Sequence, residues 1–376
     1  MSQYPSKRFH AFPMHGSSKL VKEGFRTRDG HLLHWMSQLV ASDATIEVRS
    51  RPEPLPIHLL NALRPRLSQE HDNLNEVNSY STKLPGLRNR QEWWSKSRTS
   101  YKNTKRLGEM EPVILWNPFV ATSNIADIVF NGKRTIVLDL LDDWTYHYAF
   151  AGIKSQVEEA YAKSFEGATH VLANAEGTAN LARKNGRSDV RQVLNGVDPT
   201  RFSTASRASG QAKIGYVGKI GRRLDLRLIQ DAAKELQQIT FVFAGPILDS
   251  EYKSGLQDIP NIDLLGDVHY RDVPALLQTF DMGWVPHRVG EGEVGGDVIK
   301  TYEYRAAGLP VLSTPVQGAG QRGLGAVTVL PADEHVSHIE KAFIHGPRLD
   351  RVPEEIPEQM TWEFKAKTVL DLLDPR

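Results

Sequence analysis

The run Gly292-Glu-Val-Gly-Gly-Asp-Val-Ile-Lys-Thr-Tyr-Glu-Tyr-Arg-Ala-Ala-Gly-Leu-Pro-Val311 decides how this chain is read, because a glycine-rich loop there feeds a helical pattern carrying Lys300 and Glu303. Gly290, Gly292, Gly295 and Gly296 let the backbone approach an anion closely, and Asp297 stands where a helix cap belongs. The unpaired amides of a helix's first turn attract phosphate, and Lys300 adds a full positive charge. Glu303 falls on nearly the same helix face, where a carboxylate can accept hydrogen bonds from a ribose. The segment reads as a cradle for a nucleotide diphosphate.

Around it, short apolar runs alternate with helical patterns along the whole chain, which predicts parallel sheets joined by crossover helices. In the second half, strands are expected at 213–217, 240–244, 262–265, 282–285 and 310–313, with helices near 225–237, 272–279 and 297–307. In the first half, strands are expected at 8–14, 45–49, 113–116, 135–141, 170–173 and 190–194, with helices near 30–41, 123–130, 151–164 and 175–185. Small polar residues over 199–211 break the rhythm and place a boundary between domains at 1–200 and 201–360; a last helix over 361–376 carries Trp362, Ala366, Val369, Leu370 and Leu373 on one face. The stretch 50–110 is rich in Pro, Asn, Ser and Arg and reads as an irregular excursion from the first domain.

Two doubly wound domains bind ligands at the carboxyl ends of their strands, so residues just after strands are the candidates for chemistry. Gly218, Lys219, Arg222 and Arg223 follow the first strand of the second domain and can neutralise a pyrophosphate. Val268 and His269 are candidates for a base edge and His287 for the sugar or phosphate pocket. In the first domain, Ile136-Val-Leu-Asp-Leu-Leu-Asp-Asp-Trp-Thr145 ends in Asp142 and Asp143, a carboxylate pair beside Trp144 in which one member's pKa can be raised, as a general base requires. His15, Arg26, Arg28 and Asp29 stand between the first strand and first helix and are candidates for holding an acceptor. The run 83–106 interleaves cations with Trp93 and Trp94, a pattern suited to an anionic membrane surface.

Composition sets the outer limits. At 376 residues the chain exceeds what one core supports, and a formal net charge of +1 supplies no overall field to draw in nucleic acid. With no cysteine, disulfides, thiolate nucleophiles and cysteine-bound zinc are excluded. No apolar run reaches membrane-spanning length and the first residues lack a signal-peptide core, so a cytoplasmic location, at most against the inner face of the plasma membrane, is expected. No GxGxxG follows the first strand of either half, which argues against a nicotinamide oxidoreductase.

In these residues the chain resembles the GT-B superfamily of nucleotide-sugar glycosyltransferases, family 4 type. The likeness rests on Asn195-Gly-Val-Asp198 with Phe202, Phe243-Ala-Gly-Pro246, Leu265-Gly-Asp267, Asp281-Met-Gly-Trp-Val-Pro286 and the Lys300–Val311 run, in the expected order. The Leu-Leu-Asp-Asp-Trp segment is similar to that of teichuronic-acid and exopolysaccharide glycosyltransferases, and the placement of Asp142 to the base of the xanthan glucuronosyltransferase. The resemblance implies two Rossmann-like domains, a final helix crossing back to the first, donor phosphate on Lys300, ribose on Glu303, and diphosphate on Lys219 with Arg222 or Arg223. It implies transfer of a sugar from a UDP or GDP donor to a glycan or lipid-linked acceptor, with no cofactor. Independence from metal is expected because no Asp-X-Asp triplet occurs. Where the family carries two glutamates separated by seven residues, the first position here is Gly295, which leaves retention against inversion open. An epimerase or phosphorylase on the same fold, and a non-catalytic nucleotide-binding module, are the alternatives.

Overall fold

The computed structural model describes residues 8–374 except 62, 65, 87, 88, 103–106, 291–296 and 324. The chain divides into two compact units, 1–194 with 362–376, and 195–361. These limits fall at Leu194/Asn195 and Thr361/Trp362, against expected boundaries at 200/201 and 360/361.

The first unit contains β1 (Arg8–Phe12), β2 (Thr45–Val48), β3 (Glu53–Pro54), β4 (Leu74–Glu76), β5 (Tyr80–Ser81), β6 (Val113–Leu115), β7 (Ile136–Leu140), β8 (His170–Ala173) and β9 (Arg191–Gln192). Seven of these form one parallel sheet in the order β4-β2-β1-β6-β7-β8-β9, while β3 and β5 pair separately. The strand order reverses between β1 and β6, so loops leaving the carboxyl ends of those two strands frame a crevice. Continuous apolar runs such as Val113-Ile-Leu115 give strands buried on both faces, as crossover helices on either side demand. Helix Trp362–Leu373 packs against helix Arg28–Leu39, where the Trp362 indole stacks on His31 at 4.6 Å.

The second unit contains β10 (Ala212–Val217), β11 (Ile239–Ala244), β12 (Ile262–Gly266), β13 (Met282–Val285), β14 (Val311–Ser313) and β15 (Val327–Val329). Their parallel order is β12-β11-β10-β13-β14-β15, with the reversal between β10 and β13. Two strand glycines act as sockets: a Cβ on Gly215 would lie 2.0 Å from the Phe280 ring, and one on Gly283 would lie 2.4 Å from the Tyr304 ring. Tyr304 belongs to helix Ile299–Ala306, and its hydroxyl accepts a hydrogen bond from the Val217 amide at 2.8 Å. One aromatic side chain thus pins that helix to β10 and β13.

Several expectations are corrected. Trp93 and Trp94 are 5% and 6% exposed. The Trp93 indole donates to the Pro52 carbonyl, and Trp94 packs with Phe119, Trp144 and Phe150 beneath the Arg51 guanidinium. Their indoles build the core and do not present themselves to lipid. The helix expected over 123–130 is shortened to Ala126–Phe130 and preceded by a 3-10 turn, Pro118–Thr122; Pro118 favours that turn, and Asn117 caps it by accepting from the Phe119 amide. Val298, not Asp297, occupies the N-cap position of Ile299–Ala306, and no side chain caps that end. The Asp297 carboxylate instead accepts from the Asn195 amide, the Tyr302 hydroxyl and Arg322 Nε, each at 2.9 Å.

Candidate active site

In the second unit the carboxyl end of β10 runs into Gly218, whose φ of +153° suits glycine. A Cβ there would stand 2.8 Å from Lys300 Cε and 3.1 Å from both Lys300 Nζ and the Tyr216 hydroxyl. The glycine therefore makes room for the lysine, whose ammonium lies 5.0 Å from the centre of the Tyr216 ring. Burial, then the neighbouring Arg223 and Lys219, push the Lys300 ammonium down from 10.5 to about 8, against the opposing pull of Glu303. His287, just past β13, is held well below the usual imidazole range by burial, Lys300 and Arg223, and its buried Nε2 has no hydrogen-bond partner. Three cations and a neutral imidazole thus converge at the strand-order reversal. Such crowding is unfavourable until an anion arrives.

The structure separates residues that the sequence leaves equivalent. Arg223 acts on Lys300, His287 and Tyr216, whereas Arg222 stands by Asp249, with its amide 3.1 Å from the carboxylate and its Nε 3.9 Å away. Glu303 is buried beside the Tyr270 phenol, which burial first and then the neighbouring Glu303 carboxylate push well above its ordinary value. Val268 and His269 occupy the half-exposed loop after β12, where His269 Nδ1 accepts from the Arg271 amide. Gly295 and Gly296 lie outside the described residues.

In the first unit, His15 follows β1 at the strand-order reversal, and its Nδ1 lies 3.0 and 3.1 Å from the two carboxylate oxygens of Asp29. Asp29 is fully buried and also accepts from the His15 amide, Thr27 Oγ1 and the Gly30 amide. Those bonds and the His15 imidazole hold its carboxyl far below the usual carboxylate range despite burial, which acts the other way. With Asp29 taking the proton side of Nδ1, Nε2 of a neutral His15 keeps its lone pair. The backbone is constrained here, since Phe25 has φ +60° and a Cβ on Gly30 would meet the Phe25 carbonyl oxygen at 2.8 Å.

All four acceptor candidates have partners within the unit, and two of them are buried. Asp29 is one, and Arg28 is the other: it is 3% exposed, chelates Asp139 through Nε and Nη2 at 2.8–3.2 Å, and donates to the Leu194 carbonyl. Arg26 pairs with Glu23. Asp139, an interior residue of β7 that also accepts from the Trp116 indole at 2.7 Å, was not singled out from the sequence. Its only mark there is a carboxylate within an apolar run.

Of the paired carboxylates, Asp143 is buried and its pKa is raised, chiefly by burial and least by Asp142. It accepts from the amide and hydroxyl of Thr145, and so closes a turn at the start of the next segment. Asp142 stays half-buried, and its carbonyl accepts from the Tyr161 hydroxyl. Among the described residues, no group of three or more His, Cys, Asp or Glu could hold a metal ion, and no helix is long and apolar enough to cross a membrane.

Comparison with known proteins bears on the fold and on the second unit's family. Residues 211–343 match the family model described as glycosyl transferases group 1. A 140-residue stretch is 29% identical to TuaH of Bacillus subtilis (strain 168), a protein named for glycosyl transfer in teichuronic acid biosynthesis; it covers 34% of this chain and 35% of that relative, about a third of each. Among solved structures, Anabaena HepE in complex with UDP and glucose is similar over 98% of this chain and 95% of its own, with TM-score 0.62 and 14% identity. A UDP-forming α,α-trehalose-phosphate synthase from Burkholderia vietnamiensis gives TM-score 0.62 over 98% and 96% at 10% identity. The S. aureus MnaA complex with UDP gives 0.53 over 98% and 95% at 15%. At such identities these likenesses speak to the fold, which is GT-B.

Proposed function

We propose that this chain, whose residues 211–343 form a glycosyl transferases group 1 domain, moves a sugar from a nucleotide diphosphate sugar to a glycan or lipid-linked acceptor of the cell envelope or an exopolysaccharide. The observation that carries this reading is the Lys300, Arg223 and Lys219 cluster at the strand-order reversal of the second unit. It supplies positive charge where a leaving pyrophosphate gains negative charge, with Glu303 near enough to receive a ribose. UDP is favoured over GDP because UDP occupies HepE and MnaA. Arg223 and Lys219 take the diphosphate, Gly218 lets it approach, and His287 donates or accepts at the sugar without carrying charge. The cations do the work a metal ion does elsewhere.

For the acceptor, Asp142 is the first choice as base. Asp143 is the turn-former beside it, since its carboxylate is already engaged by Thr145. The His15–Asp29 pair supports a second reading, in which an oriented imidazole takes the acceptor's proton. Thermal-shift titration with UDP, GDP and their sugars, followed by product analysis with acceptor, tests the proposal. Selective stabilisation by UDP compounds, lost in Lys300→Ala, is expected. Asp142→Asn should keep that stabilisation while losing transfer. No stabilisation by any nucleotide would refute the reading; sugar interconversion or phosphorolysis without acceptor would favour an epimerase or phosphorylase.

A further inference from the structure

Arg28 and Arg49 donate to the carboxylates of Asp139 and Glu47. Arg51, two residues past Arg49, is held differently: its guanidinium lies 3.7 Å from the centre of the Trp94 ring. Among the described residues, no hydrogen bond or ion pair engages its N–H groups. An indole face attracts the charge and fixes the side chain in place, yet it accepts none of the fork of N–H donors. Arg51 is half-buried, so that fork is reachable from solvent. Burial nevertheless pushes the guanidinium down to about 10, as at the floor of a concave site.

The place it occupies is the crevice of the first unit. Arg51 follows β2, which neighbours β1 in the sheet, and Trp94 beneath it packs with Phe119 and Trp144, which follow β6 and β7. The loop after β1 is laced to the same region: the Ser17 amide donates to Ser50 Oγ at 2.9 Å, and a Cβ on Gly16 would stand 3.7 Å from Glu53 Oε1. Arg51 therefore belongs with His15 and with Asp142, two residues before Trp144. Of the groups whose charge acts on it, Tyr101 is a phenol that burial keeps protonated. Glu53, the other, already accepts from Asn61 at 2.8 Å and lies 3.9 Å from His58. A planar, fixed, unengaged fork matches a carboxylate or a phosphate and offers little to a neutral hydroxyl.

We propose that Arg51 selects the acceptor by its charge: the sugar or lipid-linked group that enters this crevice carries a carboxylate or phosphate, which the guanidinium stacked on Trp94 takes by paired hydrogen bonds. The inference rests on the transfer reading above and adds to it the chemical class of acceptor.

Saturation-transfer NMR titration of glucuronate, glucose 6-phosphate and glucose into the UDP-saturated chain tests it, with UDP occupying the Lys300 cluster. At least one anion should bind about tenfold or more tighter than glucose, and which of the two does so tells a uronic acid from a phosphate ester. Arg51→Gln should bring that anion to the level of glucose. Arg51→Lys keeps the charge over Trp94 without the fork and should fall between. Circular dichroism and the UDP thermal shift should be unchanged in both variants. Anions bound no tighter than glucose, or bound by Arg51→Gln as by the parent chain, would overturn the proposal. Anion binding that depends on Arg51 in a chain that UDP does not stabilise would support recognition by Arg51 and refute the transfer reading instead.

Discussion

Replacing Lys300 by methionine should make the protein more stable and unable to bind donor. The ammonium is pushed from 10.5 to about 8 by burial and by Arg223 and Lys219, and at about 1.4 kcal/mol per pH unit this corresponds to at most about 3 kcal/mol of unfavourable charge in the folded, unliganded protein at pH 7. The sign follows from proton binding. Between pH 8 and 10.5 the unfolded chain holds a proton at this position that the folded chain has released, so stability rises with pH across that window. Lys300→Met removes both the cost and the slope. Urea unfolding at intervals from pH 7 to 10.5 should show the parent chain gaining stability above pH 8, and the variant starting higher and staying flat there. UDP restores the favourable pairing, so parent affinity should fall by up to about tenfold per pH unit above 8. A variant less stable than the parent at pH 7, together with a flat parent curve from pH 8 upward, would refute the claim that this lysine is held against its charge.

Gly218→Ala should lose UDP-dependent stabilisation, because its methyl would sit 2.8 Å from Lys300 Cε at a φ that disfavours alanine; an unchanged thermal shift would mean the lysine has room to retreat. Asp139→Asn breaks a buried ion pair and should cost about 3–5 kcal/mol in urea unfolding, whereas at a surface pair the loss would be below about 1 kcal/mol. Acid titration should reveal Asp29: its depressed pKa contributes stability that is complete above the unfolded value of 3.8 and is lost as pH falls below it, a loss absent in Asp29→Asn.

The alternation of apolar runs with helical patterns was enough to place β8 at His170–Ala173 and β13 at Met282–Val285, because strands buried on both faces leave uninterrupted apolar stretches. Short edge strands leave no such mark. β4 and β15 span three residues each, and β9 keeps only Arg191 and Gln192, both exposed, of the stretch expected to pair. At the site, Gly218 and Lys300 were legible as residue types in a loop-to-helix pattern. Their steric fit was not, since it arises from an 82-position separation closed by the sheet. For the same reason Arg28 read as a loop cation free to meet a ligand. Its partner Asp139 lies 111 positions away, and no local pattern announces the pair. Trp93 and Trp94 misled because cations beside indoles have one composition whether they meet lipid or, as with Arg51 stacked on Trp94, the protein's own interior.

The socket formed by Gly283 under Tyr304 bears on anyone who would vary the second unit by mutagenesis. Random libraries across 280–310 would lose members to steric failure at that contact, which sets the height of helix Ile299–Ala306 above the sheet. Diversity confined to loops beyond the strand tips, such as the half-exposed turn at Val268 and His269, would alter the rim without disturbing that spacing.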